Sequence, residues 1–143
     1  MKVLVSACLL GYNVKYDGKN NFNEELNDFL KNYDVIPICP ELLGGLNIPR
    51  IPSEIKNNKV INQEGKDVTN NFLNGAHKVL DIVKENNIKI AILKNKSPSC
   101  GSDLIYDGTF THKLINGYGV CAKLLTENGV VVLNEESYKK YRW

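Results

Sequence analysis

Lys2–Cys8 reads KVLVSAC, and how this stretch is taken decides the fold. Residues 2–7 are rich in Val and Leu, alternate only weakly and end at a cysteine, so they read as a buried strand. Two later stretches repeat the design. DVIPIC, residues 34–39, is a short apolar run ending in Cys39, and IKIAIL, residues 88–93, is a third run that leads into the SPSCG of residues 97–101. Residues 129–133 supply a fourth strand. Between them, Phe22, Leu26, Phe29 and Leu30 stand at helical spacing over 22–32. The clearest helix covers 69–86, with Thr69 as its expected N-cap and Phe72, Ala76, Val79, Leu80 and Val83 as its apolar stripe. Residues 119–127 predict a short third helix. The order β-α-β-loop-α-β-loop-α-β is that of a parallel sheet covered by helices, and right-handed crossovers make it a small doubly wound α/β fold. The expected strand order is 2-1-3-4, in one domain over 1–143. Long loops at 40–55 and 94–118 leave the C-terminal ends of the strands, with small hairpins expected over 57–66 and within IYDGTFTHKLI; loops of this length in a small domain are usually functional.

Composition narrows the function classes. The chain has 143 residues, 43% of them hydrophobic and 24% charged, and a formal net charge of +2. Its apolar runs are too short to span a bilayer, and the N-terminal apolar stretch lacks a small-residue cleavage site and flows straight into the first strand, so a cytoplasmic protein is expected. The 18 basic residues are scattered, which suits a solvated surface better than a nucleic-acid stripe; no stable nucleic-acid partner and no membrane partner are expected. Four cysteines in such a chain point to metal binding, redox chemistry or simple burial rather than disulfides. There is no CxxC pair, no GxGxxG and no GxxxxGK[ST], so no zinc-ribbon or phosphate-binding motif supports a site.

Cys8, Cys39 and Cys100 each stand where a predicted strand passes into a loop. In a parallel sheet those loops share one edge, where α/β proteins build their sites. Three thiolates meeting there suit a soft metal centre with one position left open; three separately buried thiols are the alternative. Cys121 sits at a core helical position and is expected to be buried. Glu41, two residues after Cys39, is a candidate general acid or base, or a carboxylate accepting bonds from the Gly44–Gly45 backbone. Arg50, between Pro49 and Pro52, could present its fork to a substrate or make a structural ion pair. Ser97 and Ser99 sit in a compact turn that could bind an anion or donate to sulfur. Tyr16-Asp17-Gly18 and Tyr106-Asp107-Gly108 repeat a turn signal. His77 reads as boundary packing, and His112 has no visible partner.

At these residues the chain resembles a known family. VSACLLGYNVKYDG, CPELLGGLNIPRIPSEI, the G-K-DVT…F…GA pattern, LKNKSPSCGSDLIYDGTF and GYGVCAKLL match in order the signatures of domain-of-unknown-function family 523 (DUF523), which contains the thiouracil desulfidases. The resemblance covers nearly the whole chain. It implies a three-layer, Rossmann-like α/β domain with a mostly parallel sheet. It also implies a 4Fe-4S cluster bound by three cysteines, here Cys8, Cys39 and Cys100, with the fourth iron free for the sulfur of a thiolated pyrimidine. The catalytic carboxylate falls on Glu41 and the catalytic serine on Ser97, with Arg50, Ser99, Gly44 and Gly45 as expected substrate-binding residues. The implied reaction releases sulfide from a small-molecule substrate, a thiolated nucleobase or nucleoside, and leaves uracil. One departure stands out. Many members carry a further cysteine before the YDG, and here that position is Val14. Two other functions remain open on the residues: a non-catalytic metal- or small-anion-binding module using the same pocket, and a thiol redox protein.

Overall fold

The protein is described over residues 1–143 by a computed structural model. Along the chain run β1 (Lys2–Ser6), α1 (Glu24–Phe29), β2 (Asp34–Ile38), α2 (Pro40–Leu43), β3 (Ser53–Lys56), β4 (Lys59–Asn62), α3 (Thr69–Glu85), β5 (Ile90–Leu93), β6 (Leu104–Tyr106), β7 (Leu114–Asn116), α4 (Val120–Glu127) and β8 (Val131–Asn134). Four strands form one sheet in the order β2-β1-β5-β8, every neighbouring pair parallel. Counted along the chain, these four lie 2-1-3-4; the other four strands pair as two separate antiparallel ribbons, β3–β4 and β6–β7.

The sheet is covered on both faces, which is why its strands read as continuous apolar runs. Successive residues of a strand point to opposite sides. Leu4, Ala91 and Leu93 enter the cluster under α3 and α4, while Val3, Val5, Ile90 and Ile92 enter the cluster under α1 and the C-terminal turn Ser137–Lys140. The three-layer α/β arrangement expected from the element order is the one found.

Local departures have local causes. Asn23, not a residue further back, opens the first helix, its side chain accepting from the backbone N–H of Leu26 at 3.0 Å. Thr69 does not cap α3. Its hydroxyl accepts from the N–H of Val60 at 2.9 Å, and Asp67 accepts from the N–H of Thr69 at 2.9 Å. The stretch 40–55 is not all loop: Pro40 begins the short helix α2, where a missing N–H is harmless, and Ser53 begins β3. The first hairpin therefore spans 53–62, earlier than 57–66. It turns at Asn57 and Asn58, with φ of 51° and 62°, the mirror-image turn that matches strand twist. No helix is long and apolar enough to cross a membrane.

Candidate active site

β1, β2 and β5 are parallel neighbours, so their C-terminal ends open on one edge of the sheet. Cys8 leaves β1 inside the tight turn Ala7–Leu10, which Gly11 ends with φ of +98°. Cys39 leaves β2 at the head of α2. Cys100 follows β5 in the SPSCG turn. That turn is anchored by α4, whose first N–H groups have no helical partner: Val120 and Cys121 donate to the carbonyls of Pro98 and Ser99 at 2.9 and 2.8 Å. The GYGVC stretch thus serves as a clamp on the cysteine loop. All three cysteines border one cleft of about 600 Å³.

Each sulfur has its own polar neighbours. The side-chain amide of Asn21 donates to Cys8 Sγ at 3.4 Å. Backbone N–H groups of Leu42 and Glu41, at the start of α2, face the Cys39 sulfur. Hydroxyls of Ser6 and Ser99 face the Cys100 sulfur, with Ser99 Oγ at 3.6 Å. Burial is the largest influence and pushes all three thiols up, that of Cys100 to about 12. The thiols also sense one another: charge on Cys8 or Cys39 would raise Cys100 further, and charge on Cys39 would raise Cys8. Burial and mutual repulsion disfavour three thiolates in this cleft, a demand that a bound cationic centre would offset, and N–H and O–H groups facing the sulfurs are the kind of outer partners that tune sulfur ligands. No group of three or more His, Cys, Asp or Glu side chains is spaced to clasp a single metal ion. An iron–sulfur core spreads its ligand positions over several irons, so donors set apart around a cleft suit it better than a single ion.

Glu41 sits beside the cysteines because α2 holds it one step past Pro40. Its Oε1 accepts from Arg50 Nε at 3.0 Å, a largely buried ion pair. Arg50 also donates to the carbonyls of Asn47 at 3.3 Å and Val14 at 2.8 Å. Of its two expected uses, Arg50 makes the ion pair. Glu41 Oε2 accepts from Ser99 Oγ at 3.1 Å, and Ser99 Oγ lies 3.0 Å from Ser97 Oγ. A hydroxyl carries one proton. With that of Ser99 on Glu41, the Ser97 hydroxyl donates to Ser99, and a short wire runs Ser97–Ser99–Glu41. Ser97 Oγ also accepts from the N–H groups of Ser99 and Cys100, both at 3.1 Å, and so shapes the turn.

Other residues singled out in the sequence are placed as follows. Val14, at the position of the further cysteine, borders the cleft and offers its carbonyl to the Cys39 thiol at 4.0 Å as well as to Arg50. Cys121 is fully buried in the core under α4. His77 is exposed on α3, and His112 is exposed at the rim of the cleft. Gly44 and Gly45 do not border the cleft; they lie where α2 rests on α3. A methyl on Gly44 would overlap the Asn71 carbonyl, and one on Gly75 would overlap that of Pro40. The structure gives Gly44 this packing reason for being glycine. Several participants are not singled out by the sequence: Ser6 and Lys94 lie within the matched stretches VSACLLGYNVKYDG and LKNKSPSCGSDLIYDGTF but show no role of their own there, and Asn21 and Asn71 are single polar residues that no motif fixes. Lys94 borders the cleft and pairs with Glu135 at 2.6 Å, its charge favouring the Cys8 thiolate.

Comparison with known proteins places this geometry. A solved structure described as the [4Fe-4S]-dependent thiouracil desulfidase TudS superposes with a TM-score of 0.91, at 38% identity over 97% of this chain and 93% of that one. An uncharacterized protein, YbbK of Bacillus subtilis (strain 168), is 41% identical over 143 residues, covering 93% of this chain and 95% of that protein. The 2-thiouracil desulfurase family model matches residues 3–137. With its sheet, its cysteine-lined cleft and this match along nearly its full length, the chain belongs to the 2-thiouracil desulfurase family.

Proposed function

We propose that this protein is an iron–sulfur-dependent desulfidase that hydrolyses a thiolated pyrimidine, as free base or nucleoside, to uracil and sulfide. Cys8, Cys39 and Cys100 are its proposed ligands for a 4Fe-4S cluster. The observation that carries this reading is the convergence of three strand-end thiols on one cleft, with Glu41 joined to the Cys100 loop through Ser99. The likeness to TudS, which is [4Fe-4S]-dependent, supports it.

When bound, such a cluster supplies an iron without a protein ligand, a soft acid suited to a thiocarbonyl sulfur. The residues of the chain do the rest. Glu41, fixed by Arg50, takes a proton from a water as its oxygen adds to the ring carbon bearing sulfur. A carbonyl forms as the C–S bond breaks. The proton held on Glu41 and the proton left on the added oxygen both pass to the departing sulfur, which leaves as hydrogen sulfide. Ser99 and Ser97 relay or orient the Glu41 proton and hydrogen-bond the water or the ring. One water is consumed, and uracil and hydrogen sulfide are formed. No electrons are exchanged, so no redox partner is required.

Anaerobic reconstitution with iron and sulfide should give a brown protein that releases sulfide from 2-thiouracil. Cys8→Ala should lose both colour and turnover. A reconstituted wild type that stays colourless and releases no sulfide refutes the assignment.

A further inference from the structure

The cleft has a second wall that the cysteines and Glu41 leave untouched. It belongs to the β6–β7 ribbon, whose Tyr106, Phe110 and His112 all border the cavity. Phe110 and His112 have left-handed backbones, with φ of 58° and 63°. Side chains with a Cβ seldom adopt that region, and a bulky one there is an outlier. Such a conformation persists only where the surroundings over-determine it, and it gathers at functional sites.

The surroundings here do over-determine it. Glu54 Oε1, on β3, accepts from the N–H groups of both Gly108 and Phe110, at 3.0 and 3.1 Å. Asp107 accepts from the N–H and hydroxyl of Thr109 at 3.0 and 2.6 Å. Gly108, at φ of +94°, packs so tightly that a methyl on it would lie 2.8 Å from the Ile55 carbonyl. The tip of the second ribbon is therefore bolted to the first.

What the bolt holds is an aromatic ring without a core. Phe110 belongs to none of the hydrophobic clusters and has no ring partner, although it is half-buried. Phe72 is core, and Phe29 packs among Tyr33, Tyr138 and Trp143. A phenyl left beside a polar cleft forgoes burial it could have had elsewhere. Next to it, Tyr106 and His112 meet edge to face at 6.3 Å and 80°.

We propose that Phe110, flanked by Tyr106 and His112, is the platform on which the flat ring of the substrate stacks, so that this strained tip selects for planar heteroaromatic rings. The inference rests on the desulfidase reading for the ring being a thiolated pyrimidine. Every such ring has a π face, whichever carbon bears sulfur, and an aromatic platform accepts it without reading its edges.

Phe110→Gly and Phe110→Tyr test this in the reconstituted enzyme, with kinetics on 2-thiouracil, calorimetric binding of 2-thiouracil and uracil, iron content and melting temperature. Phe110→Gly should weaken binding and raise KM by roughly five- to hundredfold, with full iron content. Its melting temperature should hold or rise, because glycine takes this φ without strain. Phe110→Tyr should restore the affinity. A merely structural Phe110 would instead lower the melting temperature of Phe110→Gly and leave KM and affinity alone. That result, in an enzyme whose wild type releases sulfide, overturns the platform and spares the desulfidase reading. A wild type that neither binds a thiolated pyrimidine nor releases sulfide overturns both.

Discussion

Arg50 and Glu41 show how a single pair fixes the proposed base. Their side chains are 9% and 17% exposed, dry enough for a lost partner to leave a charge stranded. Breaking such a pair from one side costs about 3 kcal/mol, and much of that is the desolvated survivor. Arg50→Ala should therefore destabilise the protein by about that amount, and Glu41→Ala in the same chain should recover part of it. Chemical denaturation of the two single variants and the double variant measures the coupling; strictly additive losses would refute it. The sequence offers Arg50 as either a substrate fork or an ion-pair partner, and only the folded loop shows that Glu41, nine residues back, lies close enough to pair with it at the wall of the cleft. Likewise, both serines of SPSC are legible as polar turn residues. That Ser99 rather than Ser97 meets the carboxylate depends on which hydroxyl the turn aims at α2.

Among the elements, α2 matters beyond its four residues. It carries Glu41 and fixes Cys39 at its head, and it lies backbone to backbone on α3 through Gly44 and Gly75. Asn71 on α3 adds a bond to the Gly44 carbonyl at 2.9 Å. Gly75→Ala forces α2 outward. Overpacking of this kind costs about 1–3 kcal/mol, and here it also moves a proposed ligand and the proposed base together. The expected outcome is reduced iron retention and turnover in a protein that still folds, measured by iron analysis beside circular dichroism. Normal iron content and activity in Gly75→Ala would refute the coupling. Helices were readable from apolar period and sheet strands from short continuous apolar runs, to within a few residues. The two ribbons were legible from turn signals rather than from period, the one within IYDGTFTHKLI in place and the first with shifted bounds; α2 was not, since a four-residue helix depends on what it packs against more than on any period of its own.

At the level of the whole molecule, the fold stores three thiols in a half-dry cleft, and this sets a pH signature. The Cys100 thiol is pushed from 9.0 to about 12 by burial, and those of Cys8 and Cys39 are raised as well. A raised thiol binds its proton more tightly when folded. In metal-free protein that contribution is complete below about pH 9. It is lost as pH climbs, because the unfolded chain ionises first. Denaturation midpoints of the metal-free protein should fall from about pH 9 upward, and Cys100→Ala should flatten the decline. A midpoint insensitive to pH over that range would contradict the burial. Metal loading reverses the demand, since thiolate ligands must shed their protons, so reconstitution should proceed better toward alkaline pH. By itself, the sequence determined the layers of this protein: which runs are strands, which stripes are helical, and that three cysteines stand at strand ends. Those features are local, written in periodicity and in residues a few positions apart. Only the tertiary structure decided which side chains meet. Asn21 reaching Cys8, Ser99 reaching Glu41 and Glu54 bolting the tip that carries Phe110 all join distant parts of the chain. Such contacts follow from how the loops and helices pack once the sheet has brought them together, which no local pattern encodes.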